Sequence, residues 1–353
     1  MFIWIGGGII FFLFVSFSIG WIILAPGYKG PESNHFNGAT FKNLNNVEAK
    51  GFGDVLKWMM RRDKEPWQEK PDLPYGSPPQ AKSEELNITF VNHSTFLIQW
   101  NGLNILTDPI WSERTSPVSF AGPKRMRPPG IRFEDLPKID AIIISHNHYD
   151  HLDLPTVRKL EKKYQPLFIV PLGVDLFLKN KGISRIEVMD WWEEKRIEEF
   201  TIACVPAQHF SGRGMGDRDK TLWAGYVIMH QKQKLYYVGD TGYGPFFQQV
   251  KEKYAPIDVA LIPIGAYKPK WFMSPIHMSP SEAVQVHREL EVGTSIAMHY
   301  GTFPLADDGH DDPVIDLRKA MEEQKVPVEK FILLEEGKGR SFKQIFYNQI
   351  NLL

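Results

Sequence analysis

The chain has 353 residues, of which 43% are hydrophobic and 24% charged, with 41 lysines and arginines against 42 aspartates and glutamates. This apolar content excludes an intrinsically disordered chain, and a net charge of -1 argues against broad electrostatic binding to nucleic acid. Because Cys204 is the one cysteine, an intramolecular disulfide and a cysteine-based zinc finger are both excluded. A metal site in this chain must therefore use histidine, aspartate and glutamate side chains.

Residues 1–25 are predicted to form a single transmembrane helix that anchors the protein in a lipid bilayer. Residues 2–24 carry no charge, and as a helix they would extend over roughly 35 Å, against a hydrocarbon core of about 30 Å. The alternative is a cleaved signal peptide, but a basic start and a clear cleavage site are missing. Lys29 and Lys42 follow the segment and no basic residue precedes it, so the positive-inside rule favours a cytoplasmic catalytic domain.

Residues 26–85 are predicted to be a juxtamembrane tether that wraps around the domain that follows. The segment is polar, and its prolines break any long helix. Within it, the pattern DVLKWMMRRDK predicts a short helix whose apolar face carries Val55, Leu56, Met59 and Met60. Such a helix is suited equally to lying on a membrane surface and to packing on the domain.

Residues 86–345 are predicted to form a layered α/β domain. Three closely spaced β-rich runs suggest an antiparallel meander, and later runs alternate with helical patterns. Strands are predicted at 86–91, 95–100, 103–108, 141–145, 168–171, 200–207, 223–229, 235–240, 259–265 and 295–299, and helices at 154–164, 174–181, 280–290 and 314–324. The third helix has the clearest start, because Ser279, Pro280 and Glu282 supply an N-cap, a first-turn proline and a capping-box glutamate.

The segment ISHNHYDHLD at residues 144–153 predicts a metal site. In an extended segment leaving a strand, positions 146, 148 and 150 share one side, and His151 projects from the adjoining turn toward a second point. Two neighbouring metals can therefore be served by His146, His148, Asp150 and His151. Imidazole and carboxylate ligands suit Zn²⁺, and the absence of thiolates favours a catalytic over a structural site.

Three further candidate ligands each lie at the end of a predicted strand, which is where α/β folds gather ligands. They are His209, Asp240 and His299. Taken alone, each has a structural explanation as a hydrogen-bonded core histidine or a turn-forming aspartate. Their combination with the histidine cluster favours a single shared site.

Other polar residues near these motifs allow two interpretations. Asp108 either accepts a hydrogen bond from a ligand imidazole and fixes its tautomer, or forms a turn. The same two interpretations apply to His93. Lys124, Arg125 and Arg127 either attract anionic lipid or form a solvated loop, and the solvated loop is favoured.

The order H-x-H-x-D-H, a later lone histidine, a Gly-Asp turn and a final histidine resembles the metallo-β-lactamase fold. That resemblance implies an αββα sandwich with a two-metal site. It implies one zinc ion held by His146, His148 and His209, a second held by Asp150, His151 and His299, and Asp240 bridging the two.

Six further segments narrow the resemblance over about residues 86–340. LTDPIW, SPVSFAGPKRMR, DWWEE, GDTGY, IPIGAYKPKWFM and HYGTF resemble the N-acyl phosphatidylethanolamine-hydrolysing phospholipase D family. This implies that Tyr149 and His277 contact the phospholipid headgroup, with Asp150, Asp240 and His277 as catalytic residues. Ile276 stands where the family often has glutamine, and mammalian members lack the apolar segment at residues 2–24.

The resemblance implies hydrolysis of a membrane phospholipid, N-acyl phosphatidylethanolamine, to N-acylethanolamine and phosphatidic acid. A hydroxide bridging two zinc ions would attack phosphorus, and His277 would protonate the leaving alkoxide. Two alternatives are a hydrolase of another ester, lactone or phosphodiester on the same fold, and a membrane-anchored scaffold with a structural metal. No nucleic-acid partner is expected, and the oligomeric state is left open, a homodimer included.

Overall fold

The computed structural model describes residues 24–44, 47–214 and 216–343. The predicted anchor lies outside these residues except for its last two positions. No helix within the described ranges is both long enough and apolar enough to cross a membrane.

Seven strands form the first sheet, in the order β14-β1-β2-β3-β4-β5-β6. Their bounds are β1 Leu86–Asn92, β2 Thr95–Trp100, β3 Leu103–Thr107, β4 Ala141–Ile143, β5 Leu167–Pro171, β6 Ile186–Met189 and β14 Gly339–Phe342. The antiparallel meander predicted for β1 to β3 is confirmed, and β3 to β6 pair in parallel.

Seven strands also form the second sheet, in the order β13-β12-β11-β10-β9-β8-β7. Their bounds are β7 Glu194–Ile197, β8 Phe200–Val205, β9 Gly225–His230, β10 Gln233–Tyr237, β11 Val259–Pro263, β12 Thr294–Met298 and β13 Phe331–Ile332. The strands absent from the sequence prediction are β6, β7, β13 and β14, which are the outer strands of the two sheets. Each has at most four residues, too few to display the alternation that marks a strand.

Helices cover the outer faces of the two sheets. Their bounds are α1 Phe52–Met60, α2 Leu154–Tyr164, α3 Val174–Lys179, α4 Phe246–Tyr254, α5 Lys270–Met273, α6 Pro280–Glu289 and α7 Asp312–Glu323, with a short 3-10 turn at Phe133–Asp135. The four helices predicted in the large domain are present to within two residues at each end. The capping box at Ser279 and Glu282 is also present, whereas α4 was not predicted.

Alternate side chains of the first sheet point into different layers. Ile98, Ile105 and Ile143 belong to the core shared with the second sheet. Leu106 and Ile142, next to them in the sequence, pack with the helices α2 and α3 on the opposite face. Because strand side chains alternate between faces, the first sheet carries an apolar layer on both sides. This confirms the two-sheet α/β sandwich with outer helices.

The segment before β1 lies against the sandwich. Phe36 and Phe41 are 1% and 3% exposed and belong to the main core. In α1, Val55 packs on the domain together with Trp58, whereas Leu56, Met59 and Met60 are exposed. The prediction of a single apolar face for this helix is therefore wrong. Val55 and Trp58, three residues apart, face the domain, whereas Leu56, Met59 and Met60 face outward.

We expect Phe36→Ala to lower the free energy of unfolding by about 3 kcal/mol, because removing a buried ring leaves a cavity. Urea denaturation followed by tryptophan fluorescence measures the change. Phe120→Ala is the matched control, since Phe120 is 80% exposed and its loss should change stability by less than about 0.5 kcal/mol. Equal stability of the two variants would mean that the segment around Phe36 adds nothing to the folded domain.

Candidate metal centre

The seven candidate ligands lie in loops that directly follow strands of both sheets. The loop after β4 carries His146, His148, Asp150 and His151, and the loops after β8, β10 and β12 carry His209, Asp240 and His299. The turn before Asp240 needs a glycine, because Gly239 has a φ of +70° and a Cβ there would lie 2.7 Å from the Ala224 carbonyl oxygen. The structure brings all seven residues together, and it does so only where the two sheets meet.

His146, His148 and His209 form the first of two groups. His148 Nδ1 lies 2.7 Å from His146 Nε2 and 3.2 Å from His209 Nε2. Burial and the neighbouring imidazoles lower the pKa of His148 to about 3 and, less strongly, that of His209 to about 4. The same causes hold the pKa of His146 well below its ordinary value. All three rings are therefore neutral, with one nitrogen lone pair each.

Partners outside this group decide which nitrogen carries the lone pair. His209 Nδ1 donates to the Ile276 carbonyl oxygen at 2.9 Å, so its Nε2 is the acceptor. His146 Nδ1 lies 2.9 Å from the Ser145 hydroxyl oxygen, which leaves Nε2 of that ring free to accept. His146 and His209 therefore both present the lone pair of Nε2 to His148 Nδ1, at 2.7 and 3.2 Å. A cation bound at this point would be coordinated by one nitrogen of each ring.

Asp150, His151, His299 and Asp240 form the second group. Asp240 Oδ2 lies 3.1 Å from His151 Nε2 and 2.9 Å from His299 Nε2. Asp150 Oδ2 lies 3.2 and 3.5 Å from the same two nitrogens. Neither imidazole nitrogen has a hydrogen-bond partner in the part of the chain that the structure describes, although oxygens are this close. The atoms point to a common centre instead of pairing with one another.

The second group requires positive charge at its centre. Burial acts to lower the pKa of His299, but Asp240 and Asp150 outweigh it and raise that pKa to about 9. For Asp240 burial alone raises the pKa, but His151 and His299 outweigh it and hold the pKa well below its ordinary value. Both carboxylates therefore stay ionised, and either protons on the imidazoles or a metal cation must balance them.

Asp240 lies between the two groups. Its Oδ2 is 3.9 Å from His209 Nε2 in the first group and directly contacts His151 and His299 in the second. Its Oδ1 has no hydrogen-bond partner among the described residues. Nitrogen and oxygen donors with unsatisfied lone pairs, arranged around two neighbouring points, fit a pair of borderline transition-metal ions.

Asp108 fixes the orientation of a candidate ligand. This fully buried carboxylate accepts a hydrogen bond from His151 Nδ1 at 2.6 Å, which leaves His151 Nε2 facing the site. It also accepts from the Ser145 backbone N–H at 2.7 Å and from the Tyr237 hydroxyl at 2.5 Å. Of its two interpretations, ligand support is the one that matches these contacts. Ser145 and Tyr237 were missed by the sequence analysis, since no motif marks them.

His93 supports the other side of the second group. Its Nε2 lies 3.1 Å from Asp150 Oδ2, and its ring centroid is 4.2 Å from that of His299. Burial and His299 lower the pKa of His93 to about 3.

The prediction of a solvated loop is wrong for Arg125, which is buried and donates to Asn92 Oδ1 at 3.1 Å.

The amino-terminal segment clamps the loop that carries His209. The Asn43 amide donates to the His209 carbonyl oxygen at 2.8 Å and accepts from the His209 backbone N–H at 3.0 Å. The Trp223 indole donates to the same amide oxygen at 2.9 Å. Asn43 and His209 are 166 positions apart in the sequence, so no local pattern indicated this clamp.

The two residues predicted to contact a headgroup lie in different places. His277 is at the metal centre, where its Nδ1 is 4.0 Å from Asp240 Oδ2 and its ring is 5.1 Å from that of His209. Tyr149 instead donates its hydroxyl hydrogen to the Arg213 carbonyl oxygen at 2.9 Å. Its ring lines a separate cavity of about 680 Å³ that contains none of the seven candidate ligands.

Comparison with known proteins agrees with this geometry. The profile of the beta-lactamase superfamily domain matches residues 103–300. An uncharacterized protein of Mycobacterium tuberculosis is 40% identical over 263 residues, 72% of this chain and 70% of that protein. The N-acyl-phosphatidylethanolamine-hydrolyzing phospholipase D 1 of Caenorhabditis elegans is 41% identical over 228 residues, 62% of this chain and 64% of that enzyme. A metallo hydrolase from the archaeon Ignicoccus hospitalis superposes with a TM-score of 0.56 at 25% identity, covering 73% of this chain and 99% of its own.

We expect Asp108→Asn to weaken metal binding by about 10- to 100-fold, because the amide cannot hold His151 with the charge of a carboxylate. Competition with a chromogenic zinc chelator measures the affinity. Asp140→Asn is the matched control, since the Asp140 carboxylate accepts from the Asn104 backbone N–H and pairs with Lys138 at the surface, away from the seven candidate ligands. Unchanged affinity in Asp108→Asn would contradict the assigned support of His151.

Proposed function

The chain belongs to the β-lactamase superfamily as a metal-dependent hydrolase, and we propose that it hydrolyses N-acyl phosphatidylethanolamine to N-acylethanolamine and phosphatidic acid. Because a metal-dependent hydrolase is an enzyme, the alternative of a non-enzymatic scaffold is excluded. The observation that supports the proposal most directly is that five imidazoles and two carboxylates lie close together at the edge of the sandwich. The substrate comes from the likeness to the nematode enzyme and from the motifs around the site.

Two zinc ions are the proposed cofactors. His146, His148 and His209 would hold one ion, and Asp150, His151 and His299 the other, with Asp240 contacting both. When bound, such a pair supplies Lewis acidity and lowers the pKa of water toward about 7. The neutral rings of the first group and the ionised carboxylates of the second are the protonation states that zinc binding requires.

His277 is proposed to contact the phosphodiester at its leaving oxygen. Burial lowers the pKa of His277 well below its ordinary value, so the ring is neutral and offers one N–H group. Its Nδ1 has no hydrogen-bond partner among the residues described, so the ring is free to engage a substrate. A hydrogen bond from this ring would stabilise the developing charge as the N-acylethanolamine oxygen departs.

Tyr149 is proposed to contact the headgroup from the side of the neighbouring cavity. It directly precedes Asp150, and the Arg213 guanidinium stacks on its ring at 3.9 Å. The same cavity is lined by the cations Arg114, Arg158, Lys181 and Arg213 and by the carboxylates Glu113 and Asp153, so cations are in excess there, as a phosphate group needs.

The proposed organisation follows the substrate. Residues 1–25 would anchor the protein as a single-pass membrane protein, residues 26–85 would join the anchor to the catalytic domain, and residues 86–345 would form that domain. A cytoplasmic domain is proposed from Lys29 and Lys42. An enzyme fixed to the bilayer needs no release between substrate molecules.

The substrate proposal is tested by mass spectrometry of products from defined N-acyl phosphatidylethanolamine, unmodified phosphatidylethanolamine, a lactone and single-stranded RNA, in water enriched in ¹⁸O. We expect N-acylethanolamine, with one ¹⁸O atom in the phosphatidic acid, because attack at phosphorus places the water oxygen there. His148→Ala should abolish the products, whereas His230→Ala, outside the metal centre, should not. Turnover of the lactone or RNA alone would assign a different substrate on the same fold.

His277→Ala should lower kcat by about 100-fold while the metal content stays unchanged, because the variant loses a contact to the reacting group and no ligand. Steady-state kinetics and elemental analysis of the same preparation separate these two effects. Full turnover in His277→Ala would remove His277 from the reaction, and loss of metal would make it a ligand instead.

A further inference from the structure

Four large apolar side chains are exposed on one surface of the protein. Leu56, Met59 and Met60 of α1 are 47%, 62% and 73% exposed, and Trp271 of α5 is 42% exposed. Lys57 Nζ lies 4.9 Å from the Trp271 ring, so α1 and α5 present this surface together. We call these four residues the α1 patch. A clustered apolar surface of this kind marks an interaction site more often than scattered single residues do.

The α1 patch is held rigidly. Trp58, on the inner side of α1, stacks on Phe272 with ring centroids 4.9 Å apart. Its indole donates to Asp307 Oδ2 at 2.9 Å, and Arg62 donates to Asp307 Oδ1 at 2.8 Å. The inner side of the helix is therefore satisfied by the domain, and the outer apolar side chains are not needed to keep α1 in place.

Exposed cations lie beside the α1 patch. They are Lys57, which lies over the Trp271 ring, Arg61 and Lys270. Carboxylates are also close, since Asp54 is in the first turn of α1 and Asp63, Glu65 and Asp307 line one cavity with Arg61 and Trp271. Exposed apolar side chains with exposed cations beside them are the chemistry that binds an anionic lipid surface.

The metal centre lies directly beneath the layer that supports α1. Phe272 and Ile276 belong to the small apolar cluster under the helix, and the Ile276 carbonyl oxygen accepts from His209 Nδ1. Phe210 packs against the same cluster, with its ring 4.4 Å from that of His148. One apolar layer thus separates the α1 patch from the candidate ligands.

The chain also enters the domain near this surface. The side chain of Leu24, the last residue of the apolar segment, lies against Gly216, and the Ala25 backbone N–H donates to Asp217 Oδ2 at 2.7 Å. In the same loop, Arg218 donates to the Lys50 carbonyl oxygen at 3.1 Å, just before α1 begins. Leu24, Ala25 and the residue Lys50 before α1 therefore contact the domain at neighbouring points of one loop.

We propose that the α1 patch docks on the surface of an anionic lipid bilayer and holds the metal centre, one apolar layer away, next to the membrane. The proposal adds a membrane-binding surface to the proposed lipid hydrolysis. Its biological purpose rests on that proposed function, whereas the contacts described above do not. Leu56, Met59, Met60 and Trp271 enter the acyl-chain boundary, and the three cations meet the phosphates of the headgroups.

The test uses the full chain reconstituted in phosphatidylcholine vesicles with or without phosphatidylglycerol, both containing a lipid with a spin label on its acyl chain. A fluorophore is attached to Met60→Cys, and Cys204 does not compete because it is buried. Val328→Cys is the matched control, since Val328 is 75% exposed and Met60 73%. We expect several-fold stronger quenching by the spin label at position 60 than at 328, and stronger quenching with phosphatidylglycerol than without.

Equal quenching at positions 60 and 328 would overturn the proposal. Quenching that is indifferent to phosphatidylglycerol would overturn the assignment to anionic lipid. The variant Lys57→Glu, Arg61→Glu should reduce quenching at position 60 and keep the metal content of the parent. Because no measurement here depends on turnover, docking without hydrolysis of N-acyl phosphatidylethanolamine would refute the proposed function alone. Shielding of the label from aqueous iodide without quenching by lipid would show that protein covers the patch, which also overturns the proposal.

Discussion

The constraint on which the structure depends is the burial of two ionised carboxylates among five imidazoles. Asp150 and Asp240 stay ionised because histidines surround them, and the three rings of the first group are neutral because burial lowers the pKa of each. Such an arrangement is unstable unless positive charge occupies its centre. The fold therefore supports these side chains from several directions, through Asp108, His93 and Asn43.

The support comes from both sheets and from the segment before them. Asp108 and His299 adopt positive φ angles of +33° and +59°, which non-glycine residues reach only where surrounding contacts compensate. Asp108 is compensated by four donors, and the His299 backbone N–H donates to the His93 carbonyl oxygen at 2.8 Å. Neither loop would keep this shape in isolation. The metal centre is thus a property of the assembled sandwich.

The sequence indicated the ligands better than it indicated their supports. Residues such as His146 and Asp240 were found because metal chemistry restricts both the residue types and their place after strands. Ser145, Tyr237 and Asn43 were missed because their roles depend on distances across the fold, which no local pattern records. Arg125 looked like a solvated cation, but its carbonyl and amide partners come from loops that only the fold brings together. The outer strands and the four-residue helix α5 were missed because few residues carry each signal, and α4, with nine residues, was missed as well.

The clamp between Asn43 and His209 bears on how the protein is best shortened for expression. An obvious truncation would remove every residue before β1 and keep only the domain formed by the two sheets. Such a truncated protein would lose the amide that braces the His209 loop, together with the aromatic rings of Phe36 and Phe41 that fill the interior. Poor metal binding by this truncated protein would then result from the loss of Asn43. It would not show whether the lipid bilayer contributes to metal binding. A truncation that starts at Leu24 keeps both.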